Sequence, residues 1–312
     1  MRIVFMGTPD FAVPSLEALI GAGHDVAMVV TRPDKPRGRG QKPSPCAVKQ
    51  AALRHGLPVE HPVKLDAGFA AQLKEQNIEC GIIVAYGRIL PPVLLEALPY
   101  GWINVHASLL PAYRGPAPIH RAVMAGETMT GITTMVVAPG LDEGDMLLQQ
   151  ELPIGPQDTT GDIHDRLAEI GGVLLAQTVA QLAEGTLQRR PQDHSRATYA
   201  PLLTRDDERV DWSWTTEQIH NRVRGMNPWP GAYMMDEDRI VKITAGRSGR
   251  KIRQDMVTPA GGTILKIEGE EAAVTTGDGL YWLTEVQPAG SKRMSAAAYL
   301  RGRRIGQGHR FT

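Results

Sequence analysis

A chain of 312 residues with 34 basic against 34 acidic side chains has no net charge, which argues against wholesale binding to a polyanion but leaves room for charge segregated along the chain. Its 42% apolar and 22% charged residues are ordinary globular composition, and the length favours two domains over one core. Cys46 and Cys80 are too few for a disulfide framework and lack zinc-ligand spacing. With no charged leader and no apolar run of about 18 residues, a cytoplasmic setting off the membrane is expected.

Arg2 to Met6 reads as a buried strand, Gly7 to Asp10 as a turn with a helix cap, Phe11 to Ile20 as a helix and Asp25 to Val30 as the next strand. Strand, helix, strand opens a doubly wound, mostly parallel sheet of Rossmann type. The first turn has Gly7 followed by Thr-Pro, so it lacks the glycine-rich dinucleotide fingerprint, and no Walker loop follows; neither NAD nor ATP is expected. Thr31 to Lys49 then places Arg32, Lys35, Arg37, Arg39, Lys42 and Lys49 against the single acid Asp34, among four prolines and two glycines. That composition predicts a long exposed loop, either merely solvated or a mobile arm that contacts phosphates. Helices are expected over Val48–His55 and Ala67–Gln76, with a short strand at Leu57–Glu60 and a central strand at Gly81–Ala85. The loop Tyr86 to Pro91 leaves that strand at its carboxyl end, where sheets of this class bind ligands.

The stretch Ile103 to Gly115 begins as a strand and ends as a turn. Period two puts Asn104 and His106 on one face, side by side where the strand runs out. Alone, Asn104 could cap a turn and His106 could be a core histidine. Asp142, 36 positions beyond His106, lies in a glycine-bracketed loop just past the strand Thr130–Val137, and Asn, His and Asp at strand ends make an acid/base constellation. A helix is expected at Ala117–Ala125, an antiparallel edge strand at Met146–Leu152 and a long helix at Thr160–Leu182.

Gln188 to Leu203 has little periodicity and reads as linker, giving a division into 1–188, a linker 189–205 and 206–312. Beyond it, a helix at Thr216–Val223 and five short strands (Ala232–Met235, Arg239–Thr244, Gly262–Ile267, Ala272–Thr276, Leu280–Val286) predict a small barrel of the OB kind. Basic residues gather at Arg239, Lys242, Arg247, Arg250, Lys251 and Arg253, and again from Lys292 to Arg310, with no acid after Glu285. An RNA-backbone surface is the functional reading and a solvated rim the alternative.

NVHASLLPAYRGPAPI at 104–119, with GLDEGDML at 140–147, resembles the folate-dependent formyltransferases. MGTPDFA at 6–12, TRPDKPRGRG at 31–40, VAYGRILP at 84–91 and NPWPGA at 227–232 bring the resemblance closest to the members that formylate charged initiator tRNA. It implies a Rossmann-type formyltransferase domain joined to an OB-like C-terminal domain, 10-formyltetrahydrofolate as donor, and initiator Met-tRNA as partner. The chemistry of formyl transfer requires no metal, and a monomer is expected. The resemblance also implies Asn104, His106 and Asp142 as catalytic residues and Ser108, Leu109, Leu110 and Pro111 as folate contacts. Tyr86, Ile89 and Leu90, in the neighbouring strand-end loop, are further folate candidates, and Arg37, Arg39 and Lys42 are the tRNA candidates. A related formyltransferase acting on a glycinamide or an amino-sugar nucleotide is the close alternative; a non-catalytic RNA-binding protein is the distant one.

Overall fold

The apolar run Ile3 to Met6 is buried on both faces, the environment of a central parallel strand, and forms β1 (Arg2–Gly7) of the computed structural model. Residues 1–37, 42–251 and 259–312 are described. By their contacts they form two units, one of Met1–Pro118, Met129–Pro153 and His164–Pro201, the other of Ile119–Thr128, Ile154–Ile163 and Leu202–Thr312.

In the first unit β1 is followed by α1 (Val13–Gly21), β2 (Asp25–Val30), β3 (Lys35–Arg37), β4 (Lys42–Ser44), α2 (Ala47–Arg54), β5 (Val59–Glu60), α3 (Ala67–Glu75), β6 (Cys80–Val84), α4 (Pro92–Leu95) and β7 (Trp102–His106). After α5 (Pro118–Ala125) come β8 (Met129–Val136), β9 (Met146–Pro153) and α6 (Thr160–Glu184). The seven-stranded sheet has the order β5-β2-β1-β6-β7-β8-β9. Its first five strands are parallel; β8 pairs antiparallel with β7 and β9 antiparallel with β8, extending the sheet at one edge. The strand order reverses between β1 and β6, and the carboxyl ends there and on β7 form the crevice side of such a sheet. Close packing fixes these strands. The Trp102 ring lies directly over Gly81, where any Cβ would overlap it, and the indole N–H donates to the Leu94 carbonyl at 2.6 Å.

The basic segment after β2 is not wholly loop. β3 and β4 pair as a small antiparallel hairpin with Lys35 opposite Ser44, Pro36 opposite Pro43 and Arg37 opposite Lys42. A proline pair needs no ladder hydrogen bond if it occupies a non-hydrogen-bonded position, so the flanking pairs suffice to hold the hairpin. The expected linker also has structure. Arg190 pairs with Met146 through two backbone hydrogen bonds of 2.8 Å, extending the sheet edge, and Thr198 and Ala200 bond to Pro111 and Arg114.

The second unit contains α5, α7 (Arg205–Glu208), α8 (Thr216–Gly225), β10 (Tyr233–Asp236), β11 (Arg239–Lys251), β12 (Ile264–Glu268), β13 (Glu271–Thr275), β14 (Gly279–Pro288), β15 (Met294–Ser295) and α9 (Ala296–Arg303). Its antiparallel sheet has the order β10-β11-β14-β13-β12, with β15 on β14, and is the OB-like domain expected. The register shifts repeatedly along β11 and β14, as it must where a sheet bends. Asp236, fully buried, accepts from Tyr299, from Arg303 Nε at 3.0 Å and from His309 Nε2 at 2.8 Å. Burial alone would raise its pKa, but these donors together hold it below the usual carboxylate value.

Candidate active site

Asn104 and His106 stand two residues apart on β7, with Asn104 in register with Ile83 and Met135 and His106 with Thr133. His106 is 6% exposed and Asn104 half-buried. Each nitrogen of the imidazole meets an oxygen: Nε2 lies 3.0 Å from the Tyr113 carbonyl and Nδ1 lies 3.6 Å from Asp142 Oδ2. The first distance is a hydrogen bond; the second is an ion-pair contact. A histidine placed only for packing would need no carboxylate beside it.

Asp142 reaches His106 through a tight turn. Its backbone adopts φ +48°, a left-handed conformation that aspartate visits more readily than most residues, and a Cβ at Gly144 would overlap the Val136 carbonyl. The same Oδ2 that faces His106 accepts the Gly115 N–H at 2.8 Å. Gly115 has φ +117°, and a Cβ there would stand 2.8 Å from the Ala200 carbonyl oxygen, so the approach requires glycine.

Two residues of this region were not singled out from sequence. Gln192 donates from Nε2 to the carbonyls of Asp142 and Gly144, both at 2.8 Å, and its Oε1 accepts from Arg114 Nε at 3.0 Å and Nη2 at 2.7 Å. Both side chains are buried. Arg114 was visible within the motif; Gln192 fell in the stretch read as linker, which the bridge at Arg190 on one side and the bonds of Thr198 and Ala200 on the other bring here.

The expected folate contacts divide. The Ser108 hydroxyl donates to the Ala112 carbonyl at 2.6 Å, and the buried Leu110 donates its N–H to Thr133 Oγ1 at 3.1 Å, so these two shape the loop from within. Leu109 and Pro111 are half-buried, with Leu109 packed against Gly131. Tyr86 and Leu90 are core residues, packed with Met6, Leu94 and Trp102. Their apolar bulk contributes to the core packed against the sheet. Ile89, by contrast, is 86% exposed. The loops after β6 and β7 leave adjacent parallel strands at one edge, one carrying the exposed Ile89 and the other the half-buried Leu109 and Pro111. Arg32 donates to the carbonyls of Tyr86, at 3.1 Å, and Gly87, tying the base of the basic segment to this loop.

Of the expected tRNA contacts, Arg39 lies outside the described residues, while Arg37 and Lys42 are backbone partners in the hairpin. Arg253 also lies outside them. In the second unit several basic residues have acidic partners distant in sequence: Arg247 with Glu271 at 2.6 Å, Arg301 with Glu270 at 3.3 Å and Arg303 with Asp236 at 3.0 Å. Among the described residues Arg250, Lys292, Arg304 and Arg310 have no acidic partner within 4.0 Å.

Comparison with known proteins shows the family to which the chain belongs. The Formyl transferase model matches residues 1–179 and the Formyl transferase, C-terminal domain model matches residues 202–304. A methionyl-tRNA formyltransferase of Heliobacterium modesticaldum is 63% identical over 100% of both chains, and one of Moorella thermoacetica is 49% identical over 97% of this chain and 96% of its own. The chain belongs to the methionyl-tRNA formyltransferase family. The fold of this formyltransferase is shared more widely. An N-formyltransferase from Helicobacter canadensis, solved with folinic acid and dTDP-3-aminofucose, superposes with TM-score 0.67 at 19% identity over 92% of this chain and 99% of its own. HypX from Aquifex aeolicus, solved with tetrahydrofolic acid, gives 0.64 at 19% identity over 96% of this chain and 47% of its own.

Proposed function

We propose that this formyltransferase moves the formyl group of 10-formyltetrahydrofolate to the α-amino group of methionine on charged initiator tRNA, with Asn104, His106 and Asp142 as its catalytic residues. The observation that carries the reading is the His106–Asp142 pair on the face of β7 that holds Asn104, at the carboxyl edge of the sheet. Formyl transfer needs an amine to attack a formamide carbonyl. Negative charge develops on the carbonyl oxygen, the amine sheds a proton and the departing nitrogen gains one.

The residue types match these needs. The Asn104 amide donates to the developing oxyanion, a contribution of about 3 kcal/mol in comparable sites. His106 donates as the acid from Nδ1, whose 3.6 Å contact with Asp142 is not a hydrogen bond, while Nε2 is held in orientation by the Tyr113 carbonyl. Asp142 balances the charge on the ring and takes up the amine proton through a water, assistance typically worth about 10² to 10⁴ in rate. Its described contacts with His106 and Gly115 both use Oδ2, so Oδ1 is the oxygen assigned to that relay. Ile89, Leu109 and Pro111 offer the folate its apolar walls. Arg37, Arg39 and Lys42 are assigned to the tRNA on their charge, and the full-length similarity to proteins named for this acceptor favours tRNA over a small amine.

An acceptor comparison tests the proposal. With labelled 10-formyltetrahydrofolate, label is expected on charged initiator Met-tRNA in strong preference to elongator Met-tRNA, glycinamide ribonucleotide or an amino-sugar nucleotide. A small amine as the preferred acceptor would overturn it.

A further inference from the structure

We infer that Gln192 is a positioning residue for the reaction: it locks the loop that carries Asp142 to the loop that orients His106, so that the two act at a fixed separation. The inference rests on the catalytic roles proposed above for Asp142 and His106.

The hydrogen bonding of the Gln192 amide is complete. Its two N–H groups go to the carbonyls of Asp142 and Gly144, and its carbonyl oxygen takes two N–H groups of Arg114. The orientation of the amide follows from chemistry, because a flipped amide would set NH₂ against a guanidinium and oxygen against two carbonyls. At 6% exposure for Gln192 and 2% for Arg114, water cannot readily replace these bonds, and a fully satisfied buried network of this kind is rigid.

Its placement gives the lock a purpose. Arg114 sits between Tyr113, whose carbonyl meets His106 Nε2, and Gly115, whose N–H meets Asp142 Oδ2. Gln192 therefore bonds the residue between the two contacts on one side and the backbone of Asp142 itself on the other. Asp142 has φ +48°, a sparsely populated conformation that persists where its surroundings over-determine it, and the bond to its own carbonyl is one such restraint. Gln192 is in turn fixed from outside by the backbone pairing of Arg190 with Met146. It reaches neither imidazole nor carboxylate, so its effect on the reaction passes through geometry alone.

The test is Gln192→Glu in the full-length protein. The substitution keeps an acceptor for Arg114 and places a carboxylate beside a buried guanidinium, so the variant is expected to fold, but both donors to the Asp142 and Gly144 carbonyls are lost. A misplacement near 1 Å costs on the order of 10²-fold, so kcat should fall by about 10- to 100-fold with KM for folate and for tRNA within about threefold of wild type. Amide hydrogen exchange over residues 140–146 should rise while the rest of the first unit keeps its protection. A structural role alone would lower the folded fraction and Tm and leave kcat per folded molecule unchanged. Wild-type kcat per folded molecule would overturn the inference, whatever the exchange at 140–146. Asp142→Asn, run beside it, separates the two failures: if that variant also keeps wild-type kcat, the catalytic reading of Asp142 fails first, whereas an inactive Asp142→Asn with a fully active Gln192→Glu removes the lock alone.

Discussion

His106 is held between a backbone carbonyl and a carboxylate, and both it and Asn104 are proposed to act on charge that exists only during transfer. The two should therefore fail in the same way when truncated. Asn104→Ala is expected to lower kcat by about 10² to 10³ with folate affinity preserved, because an oxyanion donor binds the transition state rather than the ground state. Steady-state kinetics with a folate-binding titration check this, and a near-normal kcat would remove Asn104 from the mechanism. Asp142→Asn keeps the size and the Gly115 contact but no longer favours a charged ring, so it should be comparably slow. That His106 and Asp142 meet beside Asn104 was legible in the sequence because strand period and glycine-bracketed turns are local signals. Gln192 was not, since nothing near it in sequence announces a partner 50 positions away. Tyr86 and Leu90 show the converse: a loop at a strand end also supplies core, and their burial was not legible from their place in that loop.

At the scale of elements, α5 follows the Asn/His stretch in sequence yet is counted with the second unit, and Asp207 of α7 shows how it is held there. Asp207 accepts from Arg121 of α5 at 2.7 and 2.8 Å, and its backbone carbonyl accepts from Arg222 of α8 at 2.7 Å. Burial works against ionisation, but the Arg121 hydrogen bonds and the Thr204 N–H outweigh it and bring Asp207 down to about 2. A folded-state value below the unfolded one means that the stabilisation is present above about pH 4 and is lost as pH falls through the folded value. Asp207→Asn should thus cost about 1 kcal/mol near neutrality, after allowing for solvent screening of a partly exposed group. Urea titrations should show that gap narrowing near pH 3; a gap independent of pH would mean the ion pair contributes nothing. Element order and type were largely readable because the sheet strands are continuous apolar runs. The β3–β4 hairpin escaped because its Pro-Gly composition is the signature of a loop, and its pairing depends on which residues happen to oppose one another.

For the whole molecule, zero net charge conceals a division between cations used internally and cations left over. Arg247, Arg301 and Arg303 are paired within the second unit, whereas Arg250, Lys292 and Arg304 have no acidic partner within reach among the described residues. Each phosphate contact contributes a slope of about −0.7 to −0.9 in log affinity against log salt. Replacing Arg250, Lys292 and Arg304 together by alanine should therefore flatten the salt dependence of tRNA binding by about 2 units with little change in Tm. An unchanged slope would assign the tRNA surface elsewhere in the chain. The run of basic residues after Glu285 could not reveal this division, because Glu270 and Asp236, which neutralise part of it, arrive from other strands and turns.

Formyl transfer to charged initiator tRNA is proposed to take place at Asn104, His106 and Asp142. The most direct test is a single-turnover measurement with enzyme in excess over charged initiator Met-tRNA and saturating 10-formyltetrahydrofolate, following N-formylmethionyl-tRNA in wild type and His106→Ala. Wild type should convert the bound tRNA in one exponential phase, and His106→Ala should bind both substrates yet form product slower by about 10² to 10⁴. A His106→Ala protein that transfers formyl at the wild-type rate would contradict the account.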